Sequence, residues 1–406
     1  MTIFFFDQIT NPQNIREAYF DIAKKFDEDI KTYHYRGADG LHIHDLDFIS
    51  EKVLKDILHE LLTLQEIAPA YQVAIPKKNG KKREIFIYPT KERIKAQAIY
   101  RILEPFFDNY FSGFLFSYRT SHPSYYAARS AVRRYKRYYG ENYVFVTDIK
   151  DYADTIDHII LLEKIKTLEF DEKTVKLLEL FIKTKTHENG KLMIRPCGVL
   201  TGTPLYALLS NFYMDEFDKW AGKYVAFYRR VGDDMIAMDK NETKIKEVHR
   251  RLLETTQRLK LQINKNKQTL IKDTESFKFL GYKFHNGLIG FDDNALSKIK
   301  INWEKRLTRR TEKNISEKMR HFKRKAKTKE NNHDYIIQRI IEQKSLVDDT
   351  EQIKKLSDYL IETVSFYFFG YNNKRKIKET KEILKNLKIR SLLEHYLLFH
   401  SKKIPL

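Results

Sequence analysis

Val144-Phe145-Val146-Thr147-Asp148-Ile149 and, about 85 positions on, Arg230-Val231-Gly232-Asp233-Asp234-Met235-Ile236 decide how this chain is read. In each, a carboxylate stands where a run of β-branched, apolar or aromatic residues ends, the pattern of a strand that delivers an acid to its tip. Asp-Asp pairs are common in turns and solvated loops. Here the pair lies between Tyr224-Val225-Ala226-Phe227-Tyr228 and Met235-Ile236-Ala237-Met238, two strand-like runs, so Asp233 and Asp234 should crown a hairpin. Asp148 follows a similar run over 143–147. Acids brought from distant parts of a chain to strand ends are what a pair of divalent cations, about 3.5–4 Å apart, requires.

The segments around these acids resemble the motifs of bacterial and group II intron-type reverse transcriptases. Asp148-Ile149-Lys150-Asp151-Tyr152-Ala153-Asp154-Thr155-Ile156-Asp157-His158 resembles motif A, and Gly198-Val199-Leu200-Thr201-Gly202-Thr203-Pro204-Leu205, continuing to Met214, is similar to motif B. Val231-Gly232-Asp233-Asp234 takes the place of motif C, Leu261-Gln262-Ile263-Asn264 with Lys267 that of motif D, and Phe279-Leu280-Gly281-Tyr282 that of motif E. Ile75-Pro76-Lys77, Asn79-Gly80, Arg83 and Pro89 resemble the fingers hairpin of the same enzymes. The matches run in the family's order from about residue 70 to about residue 285.

Bulk properties agree. The chain has 406 residues, enough for two or three lobes with a core, and 42% of them are hydrophobic. A formal charge of +20 implies a polyanionic partner, nucleic acid by default. No apolar stretch approaches the roughly 20 residues needed to span a bilayer, and Met1-Thr2-Ile3-Phe4-Phe5-Phe6 is too short an apolar run for a secretory signal, so a cytoplasmic location is expected. The lone Cys197 excludes an internal disulfide and a multi-cysteine zinc site.

Along the chain, Ile49, Val53, Leu54, Ile57, Leu58 and Leu61 are spaced for one buried helical face. Asn79-Gly80 between two β-type runs is a strong hairpin signal, because both residues tolerate positive φ. The pattern over 91–107 is helical and expected to end near Pro105, followed by Phe116-Ser117-Tyr118-Arg119, where Arg119 is a candidate template contact. A tyrosine- and arginine-rich helix is expected over 125–139. Segment 298–329 is strongly basic, with Ile301, Trp303, Leu307, Ile315, Met319 and Phe322 near helical spacing, so one face can pack while the other lies along a duplex.

What the resemblance implies is an α+β right-hand polymerase fold: an antiparallel sheet flanked by helices in fingers and palm, and a mainly helical thumb and C-terminal lobe. The expected division is an N-terminal helical segment 1–68, fingers 69–125, palm 126–285, basic thumb 286–345 and C-terminal lobe 346–406. Asp148 and Asp233, with the Ile149 carbonyl and with Asp234 as third acid, are implied to hold two Mg²⁺ ions. Lys267 is implied to donate a proton to pyrophosphate. Lys77 and Arg83 are implied to grip the triphosphate, and Tyr152, Ala153 and Thr201 to border the nucleotide. The expected partners are an RNA template, a nucleic-acid primer or product, deoxynucleoside triphosphates, and possible noncoding RNA, accessory defence protein and second copy of the chain.

Three departures from the family pattern stand out. Ala153 replaces an aromatic that usually excludes a 2′-hydroxyl, Leu200-Thr201-Gly202 replaces Pro-Gln-Gly, and Val231 replaces the tyrosine before the acidic pair. With no Cys/His nuclease motif and no ribonuclease H acid cluster, the chain looks like the defence-associated, abortive-infection branch of the family, with a retron-type enzyme as the alternative. A non-catalytic RNA-binding protein and a polymerase with relaxed sugar selectivity are the contrasting readings.

Overall fold

The structure is a computed structural model that describes residues 2–28, 36–46, 51–76, 82–265, 267–308, 317–318, 337, 340 and 346–401. Packing groups the chain into two compact units. One comprises 1–127 with 143–270, the other 128–142 with 271–406. The lobe boundaries expected from motif order are a different partition, because packing places the motif E segment with the later residues.

The first unit opens with helices α1 (Phe6–Ile9), α2 (Pro12–Glu28) and α3 (Glu51–Leu62), in agreement with the helical reading of the N-terminal segment. Leu54, Ile57 and Leu61 form the buried face of α3, as their spacing requires. Strands β1 (Ala70–Pro76) and β2 (Lys82–Ile87) pair antiparallel with Ile75 opposite Arg83. Lys77, Asn79 and Gly80 lie outside the described residues, as does the side chain of Arg83.

Helix α4 (Thr90–Tyr110) passes through Pro105 instead of ending there. Proline removes one donor and normally breaks a helix at about 3 kcal/mol. Fully buried Leu103 and Phe107 on either side hold the helix through that break. Helix α5 (Ser124–Arg137) begins in this unit and continues into the other, matching the reading of 125–139.

The chain then enters strand β3 (Tyr143–Asp148), followed by helices α6 (Tyr152–Thr155), α7 (His158–Lys166) and α8 (Glu172–Ile182). Asp157 caps α7 by accepting from Ile159 and Ile160 N–H, so this acid is structural. Short strands β4 (Thr186–Glu188) and β5 (Lys191–Met193) extend the first sheet in the order β2-β1-β4-β5. Helices α9 (Leu205–Tyr213) and α10 (Asp215–Tyr224) follow, then the hairpin β6 (Phe227–Val231) and β7 (Asp234–Asp239), helix α11 (Glu242–Arg258) and strand β8 (Thr269–Lys272).

The run read as a strand over 224–228 therefore begins three residues late. Tyr224 stays helical, stacked on Trp220 with ring centroids 4.9 Å apart. The second sheet has the order β6-β7-β3-β8. Val144 and Phe145 of β3 and Met235 through Met238 of β7 are all buried, which is why these strands read as continuous apolar runs rather than alternating ones.

Beneath the β6–β7 hairpin, Arg230 and Asp218 form an ion pair with both side chains fully buried. The guanidinium meets the carboxylate through Nε at 2.9 Å and Nη2 at 2.7 Å, and its remaining donors reach the Gly232 and Asn211 carbonyls, each at 3.0 Å. Tyr228 donates its hydroxyl to the same carboxylate at 2.8 Å. With so many donors placed, the charges are tolerated in a dry interior.

In the second unit, strands β9 (Phe277–Phe279), β10 (Tyr282–His285) and β11 (Leu288–Phe291) form a meander. The β9–β10 turn is made by Leu280 and Gly281, at φ 49° and 82°, the mirror-image turn that two-residue hairpins favour. Tyr135 of α5 packs edge-on to Phe277 and Phe284. Helices α12 (Asp293–Thr308), α13 (Thr350–Phe369), α14 (Lys374–Asn386) and α15 (Leu392–Ser401) complete what is described. Trp303 of α12 donates to the Leu360 carbonyl at 3.2 Å. Of the basic segment expected to contact a duplex, Ile315, Met319 and Phe322 lie outside the described residues. No helix among the described residues is long and apolar enough to cross a membrane.

Removing one partner of a buried ion pair strands the other charge. Asp218→Ala is therefore expected to lower stability by about 3–5 kcal/mol, read from urea denaturation; a change below about 1 kcal/mol would mean that the pair is not desolvated.

Candidate active site

The site is built on one rung of a ladder. Strands β3 and β7 pair antiparallel so that Asp148 is opposite Asp234, the final pair of a register that starts at Tyr143 opposite Asp239. The β6–β7 hairpin closes with Val231 opposite Asp234, leaving Gly232 and Asp233 as its two turn residues. Gly232 has φ 66°, and a glycine at the first central position is what this tight turn demands. Ile149 N–H donates to the Asp233 carbonyl at 3.3 Å, which ties the chain leaving β3 to the turn. The three acids named from the sequence thus meet at one sheet end.

Their environments differ. Asp148 is 3% exposed, Asp234 is half-buried and Asp233 is exposed. Asp148 Oδ1 is buried and has no hydrogen-bond partner among the described residues. Its other oxygen pairs with the Lys267 ammonium. The segment carrying that lysine is pinned to the strand end: Asn264 N–H donates to the Asp148 carbonyl at 3.0 Å, Lys150 N–H to the Gln262 carbonyl at 2.8 Å, and Lys267 N–H to the Asn264 carbonyl at 3.0 Å. Burial pulls the Lys267 pKa down, but the bond to Asp148 and the charges of Asp148, Asp234 and Asp233 outweigh it and leave it raised. All three carboxylates therefore act on one protonated amine.

Among the described residues, no group of three or more His, Cys, Asp or Glu stands close enough together to hold a metal ion. The donor chemistry nonetheless fits a hard cation, because the acids offer only oxygen and one buried oxygen is unpartnered.

Of the remaining residues named from the sequence, Ile149 is buried directly after Asp148, and Ala153 is half-buried with its carbonyl accepting from Val199 N–H at 2.9 Å. Tyr152 is buried and donates its hydroxyl to the Ser210 carbonyl. Burial pushes its phenol well above the ordinary range, against the pull of Arg230. Tyr152 is thus locked into the interior and does not fill space beside Ala153. Thr201 has a buried hydroxyl with no partner among the described residues, in a loop pressed on β2. A Cβ added at the neighbouring Gly202, which has φ 108°, would lie 2.1 Å from the Phe86 carbonyl oxygen.

Arg119 is a correction. Its guanidinium is buried and bonded to Asp108 Oδ1 at 2.6 Å and to the Ser112, Leu115 and Asp108 carbonyls, so it is a structural clamp rather than a template contact.

Sequence reasoning missed the support beneath the site. Arg230 stood in the quoted motif, but nothing in the sequence links it to Asp218. It also missed Tyr206 in the first turn of α9, because the motif gives no signal for an aromatic there. Tyr206 and Tyr118 pack edge to face with centroids 5.7 Å apart.

The family model described as reverse transcriptase (RNA-dependent DNA polymerase) matches residues 75–284, more than half of the chain. The chain is similar to Protein YkfC of Escherichia coli (strain K12), with 26% identity over 316 residues that cover 68% of this chain and 81% of that protein. It is 29% identical over 227 residues to the group II intron-encoded protein LtrA of Lactococcus lactis subsp. cremoris; the match covers 54% of this chain and 37% of that longer relative. Among solved structures, apo telomerase from Candida tropicalis, truncated from its C-terminal domain, superposes with a TM-score of 0.44 at 15% identity, over 56% of this chain and 55% of that one. With three acids meeting at the end of a β3–β7 ladder and a family match that spans every motif around them, the chain belongs to the reverse transcriptase family of RNA-dependent DNA polymerases.

Proposed function

We propose that the protein extends the 3′ end of a nucleic-acid primer with deoxynucleotides on an RNA template, with two Mg²⁺ ions held by Asp148, Asp233, Asp234 and the Ile149 carbonyl. The observation that carries this reading is the shared rung of Asp148 and Asp234, next to Asp233, with one buried Asp148 oxygen unpartnered among the described residues. When bound, such cations supply Lewis acidity toward the primer hydroxyl and the leaving pyrophosphate.

The remaining roles fall to the chain's own side chains. Lys267 holds a proton on Nζ against Asp148 and serves as the acid for pyrophosphate. Lys77 and Arg83 bind the triphosphate, Arg83 with a planar fork of donors. Thr201 and the space over Ala153 border the sugar. The lobes take the roles expected of them, fingers over 69–125, palm over 126–285, thumb over 286–345 and a C-terminal lobe over 346–406.

The biological setting we propose is antiphage defence with a dedicated noncoding RNA as template. Support comes from the divergence at Ala153, Thr201 and Val231, which departs from general copying, and from the charge of +20, which suits a retained polyanion. Relaxed sugar selectivity is the second reading, favoured by the small side chain of Ala153 and by Tyr152 being locked in the interior.

Asp148→Asn and Asp233→Asn are each expected to cut RNA-templated DNA synthesis by about a thousandfold, several kcal/mol of transition-state stabilisation, in protein that remains folded. Primer extension that survives in Asp233→Asn ends the catalytic reading. For sugar choice, Ala153→Phe should raise the preference for deoxynucleotides over ribonucleotides in matched single-nucleotide incorporation; equal selectivity in both proteins removes any role for this position. Sequencing of nucleic acid that co-purifies with the full chain should yield one dominant structured RNA, whereas a broad sample of cellular RNA argues against a dedicated template.

A further inference from the structure

Two tyrosines stand at the catalytic turn with no part in the scheme above. Tyr118 is 58% exposed, although Phe116, Ser117 and Arg119 around it are buried. Its backbone is left-handed at φ 54°, an uncommon conformation for a bulky residue, which persists only where the surroundings over-determine it.

The surroundings do so here. Phe116 N–H donates to the Arg230 carbonyl at 2.8 Å, Arg230 N–H to the Phe114 carbonyl at 3.1 Å, and Asn211 Nδ2 to the Ser117 carbonyl at 2.7 Å. Gly232 N–H, within the turn that carries Asp233, donates to the Ser117 hydroxyl. Arg119 is clamped by four bonds on the other side. The segment is thus bolted to the acidic turn, and the one side chain it leaves outward is an aromatic ring.

Tyr206 meets that ring from α9, edge to face. Burial, above all, pushes its phenol well above the ordinary range, with Tyr118 and the nearby carboxylates adding to it. Val231, the hairpin residue opposite Asp234, is small and offers no ring of its own. Amphipathic rings held rigidly at one edge of an acidic site provide the flat apolar faces and hydroxyl edge that contact a nucleotide whatever its base.

We infer that Tyr118 and Tyr206 form a shelf for the terminal base pair of the primer–template, holding the 3′ end beside Asp233. The inference rests on the polymerase reading. Both residues act in positioning, through contact with the primer terminus and without touching the metals.

The test is binding, which needs no turnover. A DNA primer annealed to an RNA template carries 2-aminopurine either at its 3′ end or well upstream, and is titrated with wild type, Tyr118→Ala, Tyr206→Ser and Tyr206→Phe. In Tyr118→Ala and Tyr206→Ser the terminal response should shrink at least fivefold while the upstream probe is unchanged, and Tyr206→Phe, which keeps the ring, should retain most of it. Placing a ring on the neighbouring strand with Val231→Tyr in the Tyr206→Ser background should restore the terminal response.

A terminal response equal to wild type in both ring-removing variants overturns the shelf, as does a loss that is equal at the two probe positions. Neither result bears on catalysis, which Asp233→Asn decides separately through primer extension.

Discussion

Two carboxylates on the same rung of a buried ladder repel each other, and the site is organised around that repulsion. Side chains directly opposite across antiparallel strands lie about 4.5–5.5 Å apart, where like charges are destabilising. Asp148 and Asp234 occupy such a pair, and Asp233 adds a third charge one residue away. Asp148 is also 3% exposed, so water gives it little relief. The local answer is Lys267, delivered by a segment whose backbone is hydrogen-bonded to the end of β3. The fold therefore requires positive charge at this point and supplies one from its own sequence.

Holding the arrangement together is a second, fully dry charge pair. Arg230 stands on β6 just before the turn, and Asp218 on α10 receives it through several bonds while other donors of the same guanidinium satisfy Gly232 and Asn211. The pair thus fixes the hairpin relative to α9 and α10. Acids that must meet a reacting group within about 0.5 Å gain from being placed by such a rigid support. Ser117, bonded to both Gly232 and Asn211, adds a third tie from a distant segment.

Strand ends that carry acids were legible because β3 and β7 are buried on both faces and read as unbroken apolar runs. The hairpin at Asp233 was legible because a glycine precedes it within a gap of two residues between runs. What lay beyond reading was which partner each side chain would take in the folded molecule. Arg119 looked like a free cation but spends its donors on Asp108 and nearby carbonyls. Pro105 looked like a stop, yet buried Leu103 and Phe107 carry the helix through it. Tyr224 looked β-type by composition, while stacking on Trp220 keeps it helical. In each case a specific partner, within a dozen residues along the chain but invisible to composition and periodicity, overrode a local preference.

The second unit takes residues 128–142 from the middle of the chain and the rest from 271 onward. The partners of Tyr135 at Phe277, Phe284 and Gly287, and that of Asn142 at Asp273, do not exist until that later stretch has been made. A ribosome adding about 5–20 residues per second needs roughly 6–26 s to cover the interval. For that time the nascent protein carries an amphipathic segment whose apolar side is uncovered, while the residues that complete the acid-bearing unit are still emerging. Chaperone engagement and aggregation during synthesis should therefore centre on this segment.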